Sequence, residues 1–133
     1  MVKEVVVGEV FSDEMREAGE ELVRRLDKAG LVVRAALWLF LPEVNLWRLI
    51  IASPEVRLYG PKKVYQKVQS VIRKMPETQK IGLQNVTVVD DNESLISALR
   101  SSFKTGTGIS GIRFSRNTLN GHFIADAYIF RLT

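Results

Sequence analysis

The chain has no cysteine and only one histidine, His122, in 133 residues. Disulfides, thiolate metal sites and a cysteine nucleophile are thereby excluded, and zinc chemistry nearly so. Any metal site would need oxygen ligands, which favours magnesium, manganese or calcium. Long apolar runs are also missing. The longest, Ala35 to Leu41, is seven residues and is closed by Pro42, well short of the roughly 18 residues that a membrane span requires. Met1 to Val5 lacks the basic start and long apolar core of a secretory signal, so the expectation is a cytoplasmic protein with no membrane partner. No P-loop, nucleophile elbow or zinc-binding histidine pair occurs.

What is present is an uneven charge. The net formal charge is +4. Residues 1 to 55 carry 7 basic and 10 acidic side chains, whereas residues 56 to 133 carry 12 and 5. A basic second half attracts polyanions, although excess lysine also serves solubility. The length fits one globular domain over residues 1–133, able to bury roughly two-thirds of its unfolded surface. Residues 1–11 read as an N-terminal strand or arm.

Ser12 is placed to cap a helix whose first turn holds Asp13 and Glu14, and Gly30 to end it. Met15, Ala18, Leu22, Leu26 and Ala29 form its apolar stripe. Leu31 to Leu41 and Leu46 to Ala52 read as an antiparallel strand pair turning at Pro42-Glu43-Val44-Asn45. Gly60-Pro61 opens a second helix that Pro76 closes. Its residues Val64, Tyr65, Val68, Val71, Ile72 and Met75 fall within about 120° of arc, leaving a cationic solvent face.

Val86 to Val89 reads as a short buried strand, followed by a third helix capped by Asp91 or Asn92. Two further strands, Ile109 to Ser115 and His122 to Arg131, flank a loop from Arg116 to Gly121. The order α-β-β-α-β-α-β-β predicts an α+β fold with one mixed five-stranded sheet and three helices. Right-handed crossovers would make the second, third and fourth strands parallel.

That topology predicts a polar rim beyond the carboxyl ends of the parallel strands. Ser53, Glu55, Asp90, Asp91, Arg116, Asn117, Asn120 and His122 would gather there. One functional reading is a metal-dependent phosphodiesterase or nuclease. In it Asp90, Asp91 and Glu55 hold magnesium or manganese, while Arg116 and His122 serve the phosphate. The other and leading reading is a non-enzymatic binding module for a protein or nucleic-acid-like polyanion. Its contact set is Lys62, Lys63, Lys67, Arg73 and Lys74 on the second helix, extended by Arg57 and Lys80.

The run Gly106-Thr107-Gly108-Ile109-Ser110-Gly111 matches the dinucleotide glycine pattern but follows a helix and precedes a strand. The phosphate-binding mechanism needs the reverse order, so the run reads as a turn. Alternation puts Ile124, Asp126, Tyr128 and Phe130 on the His122 face of the last strand. His122 and Asp126 are then about 13 Å apart, at ~3.3 Å per residue. Asp126 is expected to pair instead with Arg113. Trp38 and Trp47 read as core or interface residues. Apolar character on both strand faces, with Val5-Val6-Val7, raises the expectation of a homodimer.

Overall fold

A computed structural model describes residues 4–133. Ser12 accepts a hydrogen bond from the Met15 amide at 3.1 Å and starts helix α1, Asp13–Lys28. Gly30, at φ 86°, lies just past its end. Met15, Ala18, Gly19, Leu22, Val23 and Leu26 form the buried stripe, while Ala29 is exposed beyond it. Strands β1, Ala35–Leu41, and β2, Leu46–Ala52, pair antiparallel in the expected hairpin. Leu31 to Arg34 precede β1 without joining it.

Ser53-Pro54 leads into a short helix, α2, Glu55–Tyr59, where the sequence suggested a plain connection. Gly60, at φ 90°, then turns the chain into α3, Pro61–Arg73. Two single 3-10 turns, Glu77–Gln79 and Leu83–Asn85, lead to strand β3, Val86–Val89. Helix α4, Ser94–Ser102, is capped by Glu93 rather than by Asp91 or Asn92. The Glu93 Oε2 accepts from Leu95 N at 2.9 Å and Ile96 N at 3.4 Å, because a longer side chain one residue on can reach the same free amides.

Strands β4, Ile112–Leu119, and β5, His122–Leu132, close the chain as one long hairpin. The predicted six-residue loop is mostly strand. Only Asn120 and Gly121, at φ 47° and 82°, make the turn, the pairing with left-handed backbone that a two-residue hairpin connection demands. Arg116 also has a positive φ, 52°, and around it both strands change face. Ile124 packs with Ala127 and Ile129 in one apolar cluster, whereas Tyr128 and Phe130 belong to the other. Strict alternation along β5 is therefore broken, and Ile124 does not share a face with Tyr128 and Phe130.

The sheet order is β3-β2-β1-β5-β4. β2 and β3 are parallel, and every other neighbouring pair is antiparallel. β4 therefore runs opposite to β2 and β3 and lies on the far edge. The reason is that β5 pairs with β1 and takes the place a crossover strand would have occupied, which pushes its hairpin partner outward.

Helices α1 and α3 cover one face of this sheet, over a core that includes Trp38, Trp47, Leu49, Ile51 and Phe130. Helix α4 covers the other, over Leu37, Leu39, Ile50, Ile124 and Ile129. Members of this second cluster are at most 7 % exposed, and Leu41, Ile112, Phe114 and Leu119 pack against it half-buried. Both tryptophans are core residues, and their indole N–H groups donate to Met15 O at 2.9 Å and Glu9 O at 3.0 Å.

Residues 4 to 11 run as an arm, not a strand. Val5 N donates to Lys80 O at 2.9 Å and Trp47 N to Gly8 O at 3.2 Å, with Phe11 packed against the core. The first three residues of the expected arm lie outside the described ones. No helix among the described residues is long and apolar enough to cross a membrane.

Candidate functional site

Helix α3 presents the cations that its periodicity predicted. Val64, Val68, Val71 and Ile72 are buried on its inner side, which fixes the helix rotation. Lys62, Lys63, Arg73 and Lys74 are consequently exposed, and Lys67 is half-buried. Lys67 alone approaches a carboxylate, Glu55 at 4.0 Å. The other four make no ion pair among the described residues. From Lys62 to Lys74 the charges span about 18 Å, at 1.5 Å per residue.

The expected extensions of this face are engaged elsewhere. Arg57 Nη1 donates to Asp90 Oδ1 at 2.5 Å and Asp91 Oδ1 at 3.1 Å. Lys80 Nζ is bound to Glu77 Oε1 at 2.7 Å. Charge neutralised in this way adds little to a polyanion-binding surface.

The phosphodiesterase constellation is not assembled. Asp90 and Asp91 follow β3 on one edge of the sheet, while Arg116 lies in β4 on the opposite edge with three strands between. His122 begins β5, and the partner end of that strand, Leu132, pairs with Ala35 at the same end as Ala52 and Val89. His122 is thus at the other end of the sheet from Asp90.

The proposed metal ligands are committed too. Glu55 Oε2 accepts from Val32 N at 2.9 Å, and no group of three histidine, aspartate or glutamate side chains among the described residues is arranged to hold a metal ion. The glycine run 106 to 111 lies in the loop between α4 and β4, with no helix N-terminus after it.

The carboxylates at the β3 end instead form a local ion network. Partial desolvation pushes the Asp90 carboxyl up, but its hydrogen bonds with Asp91, Arg57 and the Asn92 amide outweigh this and leave it below the ordinary aspartate range. The Arg57 guanidinium is raised, through Asp91 first and Asp90 second. The predicted Arg113–Asp126 pair forms as a two-pronged contact at 2.7 and 2.6 Å, and this contact raises the Arg113 pKa.

Two features lay outside the sequence reading. The first is Arg131, which is 4 % exposed and tied to Asp27. The second is the pair Leu58 and Tyr59 on α2, 63 % and 60 % exposed. Tyr59 lines a cleft of about 290 Å³ with Glu55, Lys63, Val64 and Lys67. The available signal was two large apolar residues between Ser53-Pro54 and Gly60-Pro61, in a segment too short to bury both.

No family model, curated protein or solved structure matches this chain.

Proposed function

We propose that this protein is a non-enzymatic binding module for a polyanionic partner, a protein or a nucleic acid, engaged through Lys62, Lys63, Lys67, Arg73 and Lys74. The observation that carries the reading is a row of cations on one packed helix, four of them unmatched by carboxylates. Such a face attracts polyanions and releases their counterions, so its affinity falls with salt. Lysine, rather than arginine or asparagine, dominates the exposed side. This favours contact with repeating charge over reading of base edges.

The test is binding of labelled polyglutamate and oligothymidylate to the whole chain across a salt series. At least one probe is expected to bind, with an affinity that drops steeply as salt rises. Reversal of Lys62 and Lys63 to glutamate should weaken that binding at least tenfold. Undiminished binding after the reversal, or binding insensitive to salt, removes the proposal.

A further inference from the structure

We infer that the partner of this basic face is an acidic protein segment carrying an apolar anchor, seated across α2 and the first turns of α3. The inference rests on the polyanion-binding reading and narrows it to one class of partner. Its starting point is Leu58 and Tyr59, the one consecutive pair of large apolar side chains left exposed among the described residues. Scattered exposed leucines are ordinary on a protein surface. An exposed pair whose aromatic member borders Lys63 and Lys67 has instead the composition of an interface, with an aromatic at its centre and charge at its rim.

The local fold explains why these side chains point outward. Helix α2 has five residues and uses Val56 to pack against the core. Gly60 then reverses the chain at φ 90°, so α3 starts beside α2 rather than extending it. Tyr59 thereby borders the same cleft as Lys63, Val64 and Lys67. At about 290 Å³ that cleft falls just below the ~300–1,000 Å³ of small-molecule and cofactor sites. Glu55, the acidic member of the lining, is already held by the Val32 amide at 2.9 Å and lies 4.0 Å from Lys67. Lys63 and Lys67 against this one carboxylate leave the lining with a net positive charge.

Charge complementarity and apolar exposure together select the occupant. A nucleic acid would satisfy the lysines and could stack one base on Tyr59, but strand-binding surfaces present successive aromatic platforms. Leu58 would also remain in water. An acidic peptide satisfies both kinds of group: its carboxylates meet Lys62, Lys63 and Lys67, and its apolar side chain covers Tyr59 and Leu58.

The test measures fluorescence anisotropy of the full chain with three labelled probes at one fixed salt concentration. These are a twelve-residue polyglutamate, the same peptide with phenylalanine at every fourth position, and a twelve-nucleotide oligothymidylate. The phenylalanine peptide is expected to bind at least tenfold tighter than plain polyglutamate. Leu58→Ser with Tyr59→Ser should abolish that advantage while leaving plain polyglutamate unchanged, and the exposure of both side chains keeps the variant folded. Equal binding of the two peptides overturns the inference, as does dependence on Tyr59 seen with oligothymidylate alone. In both cases the polyanion-binding reading survives. Failure of all three probes to bind removes that reading, and the inference with it.

Discussion

Arg131 grips Asp27 with both terminal nitrogens, Nη1 to Oδ1 and Nη2 to Oδ2, each at 2.9 Å, across 104 positions of sequence. A register shift in the β1–β5 pairing sets this up, because it leaves Phe130 as an extra residue between the partners of Ala36 and Leu37. Phe130 and Arg131 then both face α1, where alternation would have sent them to opposite sides. The guanidinium also donates to Val33 O at 3.2 Å and Gly108 O at 3.3 Å. Removing Asp27 strands a buried cation. Asp27→Asn should cost about 2–3 kcal/mol, less than a fully buried pair since Asp27 is 39 % exposed. Urea denaturation checks this, and Asp27→Leu combined with Arg131→Met should recover most of the loss.

Gly19 is the contact point between α1 and the sheet. A Cβ there would sit 2.6 Å from Trp38 Nε1 and 2.9 Å from Phe130 Cε2. Alanine improves helix propensity by about 1 kcal/mol, yet it would force two fully buried rings apart and disturb the Trp38 bond to Met15 O. Overpacking of this kind costs about 1–3 kcal/mol. Gly19→Ala is expected to lower the melting temperature and alter the near-ultraviolet circular dichroism of Trp38. A stabilised variant would show that α1 can lift off the sheet at little cost.

Some elements of the fold are legible in the sequence and others are not. Helices α1 and α3 were legible because their caps and their apolar spacing agree, as with Ser12 and Gly30, or Gly60-Pro61 and Val64, Val68, Val71 and Ile72. The β1–β2 hairpin was legible for the same reason. Strand order was not, since nothing local records that β5 pairs with β1, and the candidate rim depended on that pairing. The Asn120-Gly121 turn carried a readable signal that the surrounding Arg116, Asn117 and Thr118 masked by looking like loop. The Arg113–Asp126 pair was legible because its hairpin was found, while the buried place of Arg131 depended on an irregularity that alternation cannot foresee.

The network of Arg57 with Asp90 and Asp91 makes a prediction in pH. Desolvation raises the Asp90 carboxyl, but bonds with Asp91, Arg57 and Asn92 prevail and lower it. A carboxyl whose folded pKa is depressed stabilises the fold above its unfolded pKa and loses that contribution as pH falls through the folded value. Arg57→Gln should therefore move the Asp90 titration upward, as followed by NMR of its carboxyl carbon. The stability difference from the parent should be present at neutral pH and vanish in acid. A difference that persists below the folded Asp90 pKa would assign the effect to packing of α2 instead.

Arg113 joins three parts of the chain: it pairs with Asp126 of β5 and lies 5.3 Å from the ring centre of Phe11 and 5.5 Å from that of Trp47. Phe11 in turn packs against Trp47 at 4.9 Å and stacks on Tyr128 at 5.3 Å. A planar guanidinium can bond a carboxylate with two prongs while lying on an aromatic face, and an ammonium cannot reproduce both contacts. Arg113→Lys is accordingly expected to cost about 1 kcal/mol and to shift Trp47 emission, read in a Trp38→Phe background. In a double-mutant cycle with Asp126→Asn the two losses should fall short of additivity, because each removes the same contact. Full additivity would mean that Arg113 acts through the rings alone, leaving the carboxylate pair without energetic weight.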